Sequence, residues 1–264
     1  MEGLEELAKM EYPGRVIIVG AAGCDNYIIY GLTGRSESSQ ARRLKKDEKG
    51  TVYVEVTDQK QLEKGDPALL VYNAMAKEGD TIIASNGSQT DLIKNHLIVY
   101  RKIHGAEMPL QDILPTVFCE PYEMRTKDGR MINLTSYEPD EPNFTPRINA
   151  VVRGDQAVLS IIKRDSDGSP AQQFYKFSLR GDNAKMIATY DGPNKDPLPS
   201  FAGEPRSVDL MPILAWDEKS IEEAVYEALG EFRVSAACYT KYGLIHGDAE
   251  PDIDIEIVNR HKEE

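Results

Sequence analysis

Six basic side chains, Arg35, Arg42, Arg43, Lys45, Lys46 and Lys49, crowd into residues 35–49 against Glu37, Asp47 and Glu48. The local excess is three positive charges in a chain whose net charge is −13. A small anion is the ligand such a reversal suits, and arginine suits it best, because its planar fork stays charged and binds oxyanions bidentately. Arg35, in the turn Gly34-Arg35-Ser36, leads the candidates, with Arg15 and Arg147 beside it. The plainer reading makes 35–49 a solvated basic loop and each arginine a surface ion-pair partner.

Other residue types add proton chemistry. Tyr72 and Asn73 follow the apolar run Leu69-Leu70-Val71 and can carry a phenol and an amide from a strand into a cleft; a core tyrosine with one hydrogen bond is the alternative. Glu120 follows Val117-Phe118-Cys119, where partial burial would raise a carboxylate's pKa toward neutrality. Asp91 is a second candidate carboxylate, or simply a charge at a helix start. Asn86-Gly87 can turn backbone N–H groups toward a ligand or be an ordinary turn. Lys176 is expected on the strand face opposite Tyr175 and Phe177, entering the site from a second sheet. His96, His104, His246 and His261 show no metal-ligand spacing. Cys24, Cys119 and Cys238 form no CxxC pair, so neither a zinc site nor a disulfide framework is indicated. No metal or cofactor is expected.

The global charge, 31 basic against 44 acidic residues, repels polyanions and argues against nucleic-acid binding. No run reaches the roughly 18–20 uncharged apolar residues of a membrane span, and Met1–Met10 carries four charged side chains where a secretory leader would be apolar. A cytosolic protein is expected, with a homo-oligomer compatible and the oligomeric state open.

The elements that must position these residues read as a single domain over 1–264, with a leading helix within 1–11 stopped by Tyr12-Pro13-Gly14 and a charged tail from about 258. Strands are expected at Arg15–Gly20, Tyr27–Leu32, Thr51–Val56, Ala68–Ala74 and Thr81–Ala84, from β-branched runs and period-two alternation. Thr90–Lys102 reads as a helix capped by Ser88 or Thr90, and a second helix lies near Met108–Leu114. Pro115–Pro146 reads as long ordered loops. A meander follows at Arg147–Val152, Ala157–Lys163, Gln172–Leu179 and Lys185–Tyr190. Next come a helix at Asp217–Leu229 capped by Asp217 or Ser220, a strand at Glu231–Tyr242, and a last strand marked by Ile253, Ile255 and Ile257. Strands in two blocks with helices around them indicate an α+β chain with two packed, mainly antiparallel sheets covered by helices.

Several stretches together carry a resemblance: Tyr12-Pro13-Gly14-Arg15, the run from Thr33-Gly34-Arg35-Ser36 to Arg42, Val71-Tyr72-Asn73-Ala74-Met75, Ser85-Asn86-Gly87, and Thr145-Pro146-Arg147-Ile148. In this order the chain resembles the archaeal-type IMP cyclohydrolases from about residue 12 to about 245. The resemblance implies the four-layer αββα sandwich of the N-terminal nucleophile hydrolases, without a terminal nucleophile, since Glu2 follows Met1. It implies ring closure of 5-formamidoimidazole-4-carboxamide ribonucleotide (FAICAR) to IMP, with a purine nucleotide as the only small-molecule partner. On that reading Arg35, Tyr72 and Glu120 are catalytic, and Arg15, Asn73, Asn86, Gly87, Asp91, Arg147 and Lys176 bind substrate. Two other functions compete. A small-amide hydrolase would need an activated nucleophile, for which Cys24 is the nearest candidate, and a purine-nucleotide-binding protein would keep the grip without turnover. The acidic insert Pro139–Asn143 is where a drifted substrate preference would show.

Overall fold

A computed structural model describes residues 3–22, 25–64, 67–126, 129–181, 183–216, 220–241 and 253–261. The hairpin β1 (Arg15–Ala22) and β2 (Asp25–Thr33) is the centre of the first large sheet. Its β-branched residues alternate across both faces, and nearly all are buried. The rest of that sheet arrives from the far end of the chain: β12 (Ala184–Ala188) and β13 (Arg206–Val208) flank β1, while β14 (Arg233–Lys241) and β15 (Ile253–Asn259) flank β2. The second large sheet runs, edge to edge, β11 (Pro170–Ser178), β10 (Gln156–Arg164), β9 (Arg147–Arg153), β6 (Thr81–Ser85), β5 (Asn73–Glu78), β4 (Val52–Val56) and β3 (Arg42–Lys46). All pairings are antiparallel. A small hairpin joins β7 (Glu123–Arg125) to β8 (Met131–Asn133).

Most of the helices are short: α1 (Glu5–Ala8), α2 (Glu37–Gln40), α3 (Gln59–Lys64), α4 (Pro67–Leu70) and α7 (Met211–Trp216). The longer three each cover a sheet. Ile93 and Leu97 of α5 (Gln89–His104) and Ile113 and Leu114 of α6 (Leu110–Val117) bury Ile83, Val151, Val158 and Ile162 of the second sheet. Ile221, Ala224, Val225 and Ala228 of α8 (Ile221–Ala228) join the main core with both sheets. Glu223 accepts a hydrogen bond from the Ser220 N–H at 3.2 Å, the return arm of a capping box. No helix among the described residues is long and apolar enough to cross a membrane.

The sheets meet at two places that matter for the site. Tyr30, opposite Ile17 on β2, turns its hydroxyl to that of Tyr72 at 2.8 Å, joining the sheets through paired phenols. At the open edge of β3, the Asn259 amide pairs with the Leu44 backbone, accepting from its N–H at 2.9 Å and donating to its carbonyl at 3.0 Å. One side chain thus substitutes for a missing strand.

Three expectations are corrected. The two sequence blocks do not map onto the two sheets, because the first hairpin recruits strands from beyond residue 180. The strand expected at Ala68–Ala74 is the helix α4 followed by β5, which begins only at Asn73; a short apolar run fits either state. The basic stretch is not a loop: residues 42–46 form β3, with Arg42 and Leu44 buried on one face and charges alternating opposite. The expected helical cap at Asp217 and the residues Cys24 and His246 lie outside the described residues.

Candidate active site

Arg15, the first residue of β1, is set by Gly14, whose φ of +74° is a glycine conformation. A side chain there would also drive into the Thr189 hydroxyl, which bonds the Arg15 N–H at 3.1 Å. The Arg15 guanidinium donates to Glu138 Oε1 at 2.5 Å, and Arg147, the first residue of β9, donates to the same oxygen at 2.8 Å. Only 8% of Arg15, 3% of Glu138 and 2% of Arg147 is exposed. A shared carboxylate therefore orients two forks in a dry environment, where charge interactions are strong.

Asn86 fixes the entry to β9 by bonding the Pro146 carbonyl and the Ile148 N–H, both at 2.8 Å. Gly87 lies so close that an added Cβ would sit 2.4 Å from Arg147 Nη1. These two residues shape the seat of Arg147. Arg147 Nε, Arg15 Nε and Gln89 Oε1 are buried without a hydrogen-bond partner among the described residues.

The Tyr30 and Tyr72 phenols act electrostatically on Arg15, and Arg15 acts on Arg42, the first residue of β3. Arg42 is 3% exposed, and among the described residues its guanidinium bonds only carbonyls, Ser39 O at 2.8 Å and Thr33 O at 3.1 Å. Burial pulls its pKa down, as it does for Arg147, yet an arginine remains charged at neutral pH. Arg15, Tyr12, Tyr30 and Tyr72 all act electrostatically on Arg42, so the groups form one neighbourhood. Burial also pushes the Tyr30 phenol well above its ordinary value, which keeps it a neutral donor. On the outer side, Thr145 bonds both Asp140 and Tyr190, and burial, with Glu138 adding repulsion, raises the Asp140 carboxyl.

The fold thus gathers Arg15, Tyr72, Asn86, Gly87 and Arg147 of the expected residues. The others stand apart. Arg35 is half-buried, ion-paired with Asp196 at 2.8 Å and placed over the Tyr12 ring, one aromatic layer from the cluster. Asn73 donates to Asp91 at 2.8 Å, a separate pair that ties β5 to α5. Glu120 is exposed in the turn after α6, because Val117 and Phe118 take the buried positions themselves. Lys176 is exposed on the face opposite Tyr175 and Phe177, but those two pack into the core between the sheets, so the lysine points away from it. Tyr30, Glu138, Asp140 and Tyr190 are not among the sequence candidates for the site, and Arg42 stands there only as a member of the basic stretch. Arg42 ends one of the quoted motifs, and Glu138 sits beside the acidic insert.

Burial lifts the Cys238 thiol to about 12, so it carries no thiolate. Among the described residues no group of His, Cys, Asp and Glu side chains could hold a metal ion.

A family model described as IMP cyclohydrolase-like protein matches residues 12–115 and 119–243. The chain belongs to the IMP cyclohydrolase-like family. The IMP cyclohydrolase of Methanococcus maripaludis is 27% identical over 181 residues, spanning 68% of this chain and 75% of that protein. That of Methanothrix thermoacetophila is 26% identical over 188 residues, spanning 71% and 78%. In this IMP cyclohydrolase-like protein every member of the buried cluster falls inside the matched stretches, whereas β15 with Asn259 follows them.

Proposed function

We propose that this protein is an IMP cyclohydrolase that closes FAICAR to IMP, with the buried arginine and tyrosine cluster as its active site. The observation that carries the reading is the buried Arg15–Glu138–Arg147 triad with the paired Tyr30 and Tyr72 phenols close enough to act on Arg15, all within the family-matched chain. The carboxamide nitrogen adds to the formyl carbon of the same molecule, and the carbinol oxygen then leaves as water while a ring-substituent nitrogen gives up its proton. Because the attack is intramolecular, the protein has to hold a near-attack rotamer and move protons, not generate a nucleophile. Guanidiniums fixed by Glu138 stabilise the oxygen as it becomes negative, and the Tyr72 hydroxyl, backed by Tyr30, donates to it and to the departing hydroxyl.

The four-layer αββα arrangement, a single domain, residence in the cytosol and a purine nucleotide as partner belong to the same proposal. A nucleotide-binding protein without turnover would keep the cationic grip but leave the paired phenols unused. The test is direct: the purified protein is mixed with FAICAR and the ultraviolet change of ring closure is followed, with IMP identified as product. Binding without conversion would replace the enzyme by the non-catalytic reading.

A further inference from the structure

Three guanidiniums share this interior, and they are not equally compensated. Arg15 and Arg147 have Glu138, and Asp140 lies near enough to act on Arg147. Among the described residues no carboxylate comes within ion-pair distance of Arg42, whose partners are two carbonyl oxygens that fix its orientation without cancelling its charge. A buried, uncompensated cation is unfavourable unless something anionic meets it. Its position is also held from behind. Arg42 opens β3, where the Leu44 backbone is clamped by Asn259 and Lys46 Nζ donates to the Ile255 carbonyl at 2.8 Å. A fork fixed in advance loses little freedom on binding.

We propose that Arg42 is the residue that takes the phosphate dianion of a nucleoside monophosphate, leaving Arg15 and Arg147 to the reacting end. This rests on the nucleotide reading above and adds the polarity of binding: phosphate toward β3, base toward β9. A phosphate is the chemical match because its two charges offset Arg42 together with the surplus of the triad, and its oxygens accept from a planar fork.

The test is calorimetric binding of IMP and of inosine, its phosphate-free counterpart, to the full chain and to Arg42→Gln and Arg42→Lys. Wild type should bind IMP at least about 100-fold more tightly than inosine. Arg42→Gln should lose about 30- to 300-fold for IMP while inosine stays within about twofold, and Arg42→Lys should recover part of the loss. Equal wild-type affinity for the two ligands overturns the proposal without any variant, and so does failure of wild type to bind IMP. An Arg42→Gln protein that keeps IMP affinity, or loses both ligands alike, also overturns it. Turnover of FAICAR is scored separately on wild type: IMP binding with the Arg42 pattern but no ring closure refutes the activity and leaves the grip standing.

Discussion

Arg35 and Arg42 come from one basic stretch, and the fold gives them opposite circumstances. Arg35 reaches outward to Asp196, whose side chain is 75% exposed, and to Asn194 at 3.2 Å. Arg42, seven residues on, is turned inward by the first step of a strand and, among the described residues, hydrogen-bonds only carbonyls. Local composition draws attention to both, yet what separates a solvated ion pair from a candidate ligand contact is the strand period, which buries Arg42 and Leu44 of β3. Cationic density in a sequence marks a neighbourhood, and burial without a counter-charge marks the residue.

The contrast can be broken most severely at Glu138. Glu138→Gln leaves Arg15 and Arg147 facing each other without their carboxylate, and should cost about 3–5 kcal/mol of stability in denaturant unfolding, with turnover lost. A change under about 1 kcal/mol would mean that the triad is wetter than its burial indicates. Tyr72→Phe should keep the fold and substrate KM and lower kcat about 100-fold, because only a donor to the developing charge is removed. A raised KM with unchanged kcat would move Tyr72 from the reaction to binding. Gly87→Ala pushes a methyl into the Arg147 fork and should cost about 1–3 kcal/mol in thermal unfolding, with a matching loss of kcat/KM. The mildest change is Arg35→Ala. It should trim stability by under about 1 kcal/mol and kcat/KM by less than about threefold, as an exposed pair would. A loss at Arg35 as large as that at Arg42 would erase the distinction between them.

β-branched and aromatic runs made β1 and β2 readable, alternation made β4 so, turn-bounded short runs did it for β9 and β10, and the Ile253, Ile255 and Ile257 spacing did it for β15. β3 was hidden because its alternation is carried by Arg42 and Leu44 among lysines, so no hydrophobic signal marks it. Which strands share a sheet was also out of reach, since β1 pairs with β12 and β2 with β14 through contacts that no local pattern encodes. The same limit shaped the site. Arg15, Arg147 and Tyr72 were found as residue types at element boundaries, but Glu138, in a proline-rich segment with no periodicity, gains its meaning only from two arginines distant in sequence. Glu120 misled for a local reason: its apolar neighbours end a helix, and the next residues turn out to water.

Arg15 and Glu138 meet across 123 positions of chain, and the Arg15 N–H meets Thr189 across 174. Closing such loops costs chain entropy before the contacts return anything, so the triad is expected to form late on the folding path. During synthesis the strand bearing Arg15 leaves the ribosome long before Glu138, Arg147 or Tyr190 has been made, so a partly made chain holds basic side chains but no place for a substrate. Recovery of turnover after dilution from denaturant would accordingly lag recovery of the β1–β2 hairpin, and the enzyme's own activity becomes the clock for the last step of its assembly.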